Sequence, residues 1–286
     1  MFSGILSSSI IKRAIEKGVV KIRVIDYREY SNDKHHKVDD TIYGGGAGML
    51  ISVVPIANCL KDIEGYKSAK KIITSPTGYT FNQAKAKELS KEEHIIIVCG
   101  HYEGIDARIN NYIDEEISIG DYILTGGEVA SMAIVDSVVR LLPGAITSES
   151  IEDESFNDNM LEYDQFTKPV SFDGYDVPFV LTNGNHEEIK KWRHFNSLVK
   201  TYKNRPDLID SSKLSKEDKE FLNSLKKDKL FNCKWYETKI LKIKRRLCII
   251  PKGGQGGNVF PLLIVKESFF QMVSRSLFYL LLSVFL

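Results

Sequence analysis

The sequence lacks the motifs of the common nucleotide-binding sites. It holds no G-x-x-x-x-G-K-[ST] run, which excludes a P-loop at the motif level. Residues 44–48 begin like a G-x-G-x-x-G pattern, but Met49 takes the position of the last glycine. On physical grounds this glycine-rich segment is first a flexible loop, and ligand contact is the less favoured interpretation.

Cysteine is scarce as well. The four cysteines show no C-x-x-C spacing and lie far apart, at Cys59, Cys99, Cys233 and Cys248. This spacing argues against a zinc motif and a disulfide framework, and predicts reduced thiols in a cytoplasmic protein. Residues 1–20 indicate a helix that begins near Ser9 and is ended by Gly18, rather than a secretory signal.

The chain as a whole has almost equal numbers of positive and negative side chains, since its net charge is +1. The distribution is uneven, however. Residues 232–286 hold nine Lys/Arg and two Asp/Glu, a net charge of +7, whereas residues 1–231 have a net charge of −6. The two parts of the chain therefore differ in electrostatic character.

Strand patterns alternate with helix patterns through the first half of the chain. This alternation predicts an α/β domain with a parallel sheet. Strands are expected over residues 19–25, 70–74, 94–99 and 115–119. Helices are expected over residues 9–18, 53–63, 81–89 and 127–142. The last helix has a broad apolar face, formed by Val129, Met132, Ala133, Val135, Val138, Val139 and Leu142.

Three predicted strands end in polar loops that contain glycine, within residues 72–78, 96–106 and 117–128. The carboxyl ends of parallel strands lie side by side, and ligands bind in the crevice outside them. Glycine lets a backbone approach a ligand closely. The three junctions together therefore predict a pocket for a small polar cofactor.

After a break at Pro143-Gly144, residues 145–160 are acidic and aperiodic, as in a linker. Residues 161–231 predict short helices. Within them, residues 189–206 hold six Lys/Arg and no acidic residue, with aromatic side chains at helical spacing. Such a stretch is either a solvated surface helix with a buried stripe or a phosphate-binding face for nucleic acid.

Read in order, these segments resemble the bacterial tRNA (guanine-37-N1)-methyltransferases, the TrmD family of the SPOUT superfamily. The resemblance covers residues 1 to about 230. It is carried by Val38-Asp39-Asp40, Tyr43-Gly44-Gly45-Gly46, Gly48-Met49-Leu50, Ser75-Pro76, Val98-Cys99-Gly100, Tyr102-Glu103-Gly104-Ile105-Asp106, Ile113-Asp114-Glu115-Glu116, Ser118-Ile119-Gly120-Asp121-Tyr122, Gly126-Gly127-Glu128, Thr167-Lys168-Pro169, Gly184-Asn185-His186, Trp192-Arg193 and Arg205-Pro206.

The resemblance implies an α/β fold whose parallel sheet is threaded into a deep trefoil knot, an exception to the rule against knots, followed by a small, mostly helical C-terminal domain. It also implies a homodimer with its pocket at the interface. S-adenosylmethionine would be the cofactor. By position its binding residues are Ser75, Pro76, Gly100, Glu103, Ile119, Gly120, Asp121, Tyr122, Ile123, Leu124, Gly126 and Gly127.

The same resemblance assigns roles in catalysis. The general base, which must take the N1 proton of guanine, falls on Glu154, where relatives usually have Asp, and Asp153 is the open alternative. Arg140 takes the position of the arginine that stabilises negative charge on O6. Apart from the resemblance, residues 151–156 are a solvated acidic linker. The tRNA would contact Asp39, Asp40, Lys168, Lys190, Lys191, Arg193 and Arg205.

One loop holds residue types that can bind a metal ion, but a metal site is the less favoured interpretation. Asp33, His35 and His36, together with Asp39 and Asp40, look like a metal cluster, but their spacing fits no zinc pattern, so a loop that closes over the guanine is favoured. The family depends on Mg²⁺, which takes few protein ligands, and no ligand is assigned here.

The expected layout is a cofactor-binding domain over residues 1–144, a linker over 145–160, a tRNA-binding domain over 161–231 and an atypical tail over 232–286. Relatives begin with an additional strand, which favours a mis-set start at Met1. The tail is basic, then apolar, and we favour extra sequence over a membrane anchor, because Gln271 and Arg275 interrupt its apolar part. Two alternative functions stay open: a SPOUT ribose 2′-O-methyltransferase, and a truncated, non-catalytic RNA-binding remnant.

Overall fold

A parallel sheet of three strands organises the first half of the chain. The computed structural model describes residues 1–147, 155–156 and 160–227, which all belong to one unit, Met1–Lys229. The sheet consists of β3 (Lys70–Thr80), β4 (Ile95–Val98) and β5 (Glu115–Ser118) in the order β4-β3-β5. These strands confirm the predicted α/β class. A knotted path stays a prediction.

Helices cover both faces of this sheet. Successive residues of β3 point to opposite faces, so neighbouring side chains of this strand belong to different hydrophobic cores. Ile73 packs in a core with α3 (Val53–Asp62). Ile72 packs in a second core with α4 (Gln83–Leu89) and α5 (Glu128–Val139). The helices α1 (Phe2–Leu6) and α2 (Ser9–Glu16) belong to a third cluster, which also includes the end of α5.

Ion pairs fix the edges of the sheet. Glu115 on β5 accepts from Lys70 at 3.2 Å and from Lys85 at 2.8 Å. Burial opposes the charged carboxylate, but the two ammonium groups outweigh it and lower the pKa of Glu115. Because each lysine comes from a different element, these pairs tie β3 and α4 to β5.

One predicted strand is absent. Residues 20–26 form neither helix nor strand, and Val24 is 58% exposed. The apolar alternation over residues 19–25 satisfied the sequence pattern, but a strand also needs a neighbour to accept its backbone hydrogen bonds. No such ladder includes these residues in the described part of the chain, so the prediction is wrong.

A small hairpin precedes the sheet. It pairs β1 (Asp39–Asp40) with β2 (Leu50–Ile51), in the register Asp39 with Ile51. A 3-10 turn at Tyr27–Tyr30 packs beside α3, where burial raises the pKa of Tyr27 to about 12.

The second region is built around one long helix rather than the short helices that were expected. This helix, α6, spans His186–Asn204 and is followed by α7 (Lys216–Lys227). A hairpin of β6 (Ser171–Phe172) and β7 (Tyr175–Asp176) precedes it. His194 of α6 lies 2.7 Å from Asp218 of α7. Burial opposes the charge on Asp218, but hydrogen bonds from His194 and Ser215 lower its pKa overall.

None of the helices among the described residues combines the length and the apolar character that a membrane span needs. The apolar tail predicted from the sequence lies outside the described residues.

Candidate cofactor-binding site

The three predicted junctions lie next to one another at the carboxyl edge of the sheet. β3 is the central strand, and residues 75–78 form a bulge in it, because its pairing with β5 shifts between Thr74 and Tyr79. This bulge is flanked by the loop after β4 (residues 99–106) and the loop after β5 (residues 119–127). This strand order confirms that the three segments are adjacent. The first of them differs from the prediction, because β3 continues to Thr80 and residues 75–78 are a bulge rather than a loop after the strand.

Gly127 is the point where the loops meet. Its backbone N–H donates to the carbonyl of Gly100 over 2.8 Å, and His101 and Gly126 form an antiparallel bridge beside it. A Cβ atom at Gly127 would lie 2.2 Å from Thr74 Oγ1 and 3.0 Å from both the Cα of Cys99 and the amide nitrogen of Gly100. The loop after β5 therefore packs against the other two strands without space for a side chain.

Two hydroxyl groups that the sequence analysis missed hold this junction. Thr74 Oγ1 lies 3.4 Å from the carbonyl oxygens of Val98 and Gly127. Ser131 Oγ donates to Gly127 over 2.8 Å and lies 3.0 Å from the thiol of Cys99. The signal available in the sequence was a small polar residue inside an otherwise apolar strand or helix.

Burial raises the pKa of the Cys99 thiol, and the hydrogen bond to Ser131 only partly offsets that effect. The thiol is therefore neutral near pH 7, so it acts as packing and as a hydrogen-bonding group rather than as a nucleophile.

The loop after β5 makes a tight turn. Ser118 Oγ accepts from the N–H of Gly120 and donates to its carbonyl, both over 3.2 Å, and the Tyr122 N–H donates to the same carbonyl over 2.9 Å. Gly120 has a φ angle of 145°, a backbone conformation that residues with a side chain rarely adopt. This turn leaves the next four side chains exposed, namely Asp121, Tyr122, Ile123 and Leu124.

The bulge of β3 is fixed by its hydroxyl groups. Ser75 Oγ lies 2.7 Å from Thr77 Oγ1, which donates to Glu116 of β5 over 2.9 Å. A Cβ atom at Gly78 would lie 2.5 Å from the backbone of Glu116 and Ile117, so the bulge packs closely against β5. Pro76 stays exposed at its tip.

The glycine-rich segment packs beside this edge as well. The backbone N–H of Ile51 donates to the carbonyl of Gly104 over 3.0 Å, and the backbone N–H of Glu103 donates to the carbonyl of Met49 over 3.1 Å. A Cβ atom at Gly48 would lie 2.5 Å from the Glu103 side chain. The segment is therefore more than a free loop: it brings the β1–β2 hairpin, with Asp39 and Asp40, against the loop after β4.

The suspected metal cluster has a structural role at Asp33. Its carboxylate accepts from the backbone of His35 over 2.7 Å and of Lys37 over 3.4 Å, and these bonds lower its pKa. The ring of His36 lies 3.1 Å from the carbonyl of Arg28. In the described ranges, no group of three or more His, Cys, Asp or Glu side chains could hold a metal ion.

The residues expected for catalysis are only partly described. Glu154 and Asp153 lie outside the described residues. Arg140 follows directly after α5, half-buried, with its N–H donating to Asp136 over 3.2 Å. Because a helix rises about 1.5 Å per residue, Arg140 lies about 18 Å along the axis from Glu128, where the cofactor loops end.

Three of the seven residues expected to contact tRNA lie on α6. Lys190, Lys191 and Arg193 are exposed on it, and Lys168 is exposed before the β6–β7 hairpin. The guanidinium of Arg205 is paired with Asp207, whose carboxylate accepts from it over 2.6 and 2.9 Å. A phosphate would have to compete with this carboxylate.

The sequence of this chain matches a family of known proteins. A family model described as tRNA (Guanine-1)-methyltransferase TrmD matches residues 1–211. The chain belongs to this methyltransferase family. The TrmD resemblance drawn from the ordered motifs is thereby confirmed.

Relatives named tRNA (guanine-N(1)-)-methyltransferase match this chain over nearly their whole length. A tRNA (guanine-N(1)-)-methyltransferase of Clostridium botulinum strain Hall is 54% identical over 228 residues, which cover 79% of this chain and 95% of the relative. The enzyme of the same name from Halalkalibacterium halodurans is 49% identical over 231 residues (79% and 94%). That from Bacillus cereus strain B4264 is 48% identical over 232 residues (80% and 95%).

Proposed function

We propose that this protein transfers a methyl group from S-adenosylmethionine to N1 of guanine at position 37 of tRNA, in the cytoplasm. The observation that carries the proposal is the junction at Gly127 of the loops after β4 and β5 with β3, in a chain of the TrmD family. Family membership supports the reaction, and the junction supports a cofactor site made largely of backbone.

The described residues suit S-adenosylmethionine. Gly100, Gly126 and Gly127 bring polar backbone to the edge of the sheet. The exposed Ile123 and Leu124 offer apolar surface against which an adenine ring could pack. When bound, the cofactor supplies an electrophilic methyl group on its sulfonium. Ser75, Pro76, Glu103, Ile119, Gly120, Asp121 and Tyr122 complete the proposed binding set.

The chain must then make guanine N1 nucleophilic. N1 carries a proton at neutral pH, so a carboxylate within hydrogen-bond reach has to remove it, and we assign this role to Glu154, with Asp153 as the alternative. As the proton leaves, negative charge moves onto O6. The guanidinium of Arg140 would stabilise that charge.

The position of Arg140 supports a dimer. An arginine side chain cannot cover the roughly 18 Å of helix axis between Arg140 and Glu128, where the loop after β5 of its own chain ends. Two copies of α5 packed antiparallel would bring the Arg140 of one chain to the loops of the other. The apolar side chains on α5 that are exposed include Val129, 51% exposed, and Ala133, one turn further on. Both belong to the apolar face predicted for this helix, and such a dimer would cover them.

Mixed dimers test this arrangement. We expect Arg140→Ala and Leu124→Arg chains each to be inactive alone. Refolded together in equal amounts, they should recover about a quarter of wild-type methyl transfer, because half of the dimers are mixed and one of their two sites is intact. Leu124 is exposed, so the arginine blocks the pocket without disturbing the core.

The contrary outcome is clear. If Arg140 and the cofactor loops of one chain form the same site, every site in the mixture carries a defect and no activity returns. A single sedimentation measurement on each variant shows whether it still dimerises, and so serves as the control.

We propose that α6 binds the anticodon stem-loop through Lys190, Lys191 and Arg193, with Lys168 and Arg205 beside it. Asp39 and Asp40, on the hairpin beside the loop after β4, would lie near the flipped guanine. Mg²⁺ would act with few protein ligands, and we assign none.

The function is tested by transfer of labelled methyl from S-adenosylmethionine to unmodified tRNA with guanine or adenine at position 37. We expect labelling that requires guanine 37 and yields 1-methylguanine on digestion. Label on a ribose would favour the 2′-O-methyltransferase alternative, and binding without labelling would favour the RNA-binding remnant. Either result would overturn the proposal.

A further inference from the structure

The hairpin of β6 and β7 presents two aromatic rings on one face. Its turn residues, Asp173 and Gly174, have φ angles of 50° and 80°, as a two-residue type I′ turn requires. Phe172 pairs directly with Tyr175, so the two side chains project from the same side. They are 67% and 81% exposed. We name Ser171–Asp176 the aromatic hairpin.

The apolar surface extends beyond the two rings. Val170 is 58% exposed at one end of the aromatic hairpin, and Phe179 is 76% exposed just after the other. Single exposed apolar residues are ordinary, but a contiguous group of them marks a binding surface.

The aromatic hairpin is held in place by α6. The N–H of Val177 donates to Val170 over 2.8 Å and closes its base. Before it, Phe166 packs edge-on against Trp192 of α6, with ring centroids 6.1 Å apart. After it, the turn Phe179–Leu181 also packs against α6. Both ends of the hairpin are therefore anchored to the helix.

The same helix supplies positive charge. Lys190, Lys191 and Arg193 are exposed on the part of α6 that the hairpin is anchored to, and the Arg193 guanidinium lies 4.8 Å from the centre of the Tyr163 ring. Asp176 pairs opposite Ser171, which sets its carboxylate on the face away from the rings. The helix that anchors the aromatic hairpin thus also carries the cationic side chains.

We propose that the aromatic hairpin is a stacking platform for unpaired bases of the substrate RNA, with Phe172 and Tyr175 stacking on bases while the cations of α6 contact phosphates. The proposal rests on the proposed function for the choice of RNA as partner. Aromatic rings stack on any base that is free of a duplex, and basic groups beside them track the backbone. A second copy is the weaker occupant, because an isologous contact would bring the two sets of cations together.

The test compares binding of the full-length protein to an anticodon stem-loop RNA and to a fully paired duplex of the same length. We expect Phe172→Leu and Tyr175→Leu each to weaken stem-loop binding about 5- to 150-fold and to leave duplex binding unchanged. Phe172→Tyr and Tyr175→Phe keep the rings and should bind like the wild type. Tyr79→Leu, at a residue 73% exposed on β3, is the control for loss of an exposed aromatic elsewhere.

Salt dependence separates stacking from charge. The leucine variants should leave the slope of log affinity against log salt unchanged, whereas Lys190→Gln and Lys191→Gln should each reduce it by about 1. A leucine variant that lowers stem-loop and duplex binding equally would overturn the stacking role.

Other outcomes distinguish this inference from the proposed function. Leucine variants that bind the stem-loop like an active wild type overturn the platform and leave the function intact. If they dissociate the dimer without affecting RNA binding, the surface belongs to a second copy and the platform is overturned. If the wild type does not methylate tRNA, yet the leucine variants lose stem-loop binding, the function fails and the platform stands.

Discussion

Replacing Glu154 by Gln is expected to lower the rate of methyl transfer by about 10²- to 10⁴-fold while S-adenosylmethionine affinity stays close to the wild-type value. Glutamine keeps the shape and a hydrogen-bonding group but cannot take the N1 proton of guanine. Single-turnover methylation with saturating tRNA measures the chemical step, and calorimetric titration with the cofactor measures its affinity.

The neighbouring carboxylates provide matched controls. Glu152→Gln, two residues earlier, should leave the rate unchanged. Glu154→Asp should retain much of the rate, because it keeps the carboxylate and shortens its reach by one methylene. If Asp153→Asn causes the loss and Glu154→Gln does not, the base lies one residue earlier than we assign it.

The pH dependence adds a second readout. In a Glu154→Gln protein, proton removal falls to the solvent, so the residual rate should increase with pH. A variant that only displaced the RNA would lose rate equally at every pH. This difference separates proton transfer from positioning.

The sheet could be predicted in part from the sequence: β4 is a continuous apolar run, and β5 places the buried Ile117 between polar residues. Residues 94–99 and 115–119 were expected as strands, and Ile95–Val98 and Glu115–Ser118 are observed. The strand expected over residues 19–25 did not form, because pairing depends on a neighbour that local sequence does not specify. The apolar face of α5 was predicted, but the helix is apolar on several sides, so its pattern does not say which side faces the sheet.

The site could be predicted in outline but not in detail. The polar ends of adjacent parallel strands identify the pocket, since strand direction brings them together. Thr74 and Ser131 were missed because their contacts depend on the tertiary fold: Thr74 lies 53 residues from Gly127, and Ser131 lies 32 residues from Cys99. These hydroxyl groups reach their hydrogen-bond partners only when the strands and α5 are packed together.

Gly127→Ala is expected to destabilise the protein by about 1–3 kcal/mol and to weaken S-adenosylmethionine binding at least about tenfold. The new Cβ would lie 2.2 Å from Thr74 Oγ1, and two of its other neighbours are backbone atoms of Cys99 and Gly100 that cannot turn aside. The loops after β4 and β5 must therefore separate, and the hydrogen bond from Gly127 to Gly100 lengthens. Thermal unfolding should show a midpoint roughly 2–12 °C lower.

Two further variants make this prediction specific. Gly4→Ala, in α1 where a Cβ atom meets nothing within 4 Å, should leave the midpoint and cofactor affinity unchanged. Thr74→Ala combined with Gly127→Ala removes the 2.2 Å contact and leaves those at 3.0 Å, so the double variant should be more stable than the sum of the single effects predicts. Strictly additive effects would mean that Thr74 and Gly127 do not share a packing contact. Wild-type cofactor affinity in Gly127→Ala would show that the close approach of the loops is not needed for binding.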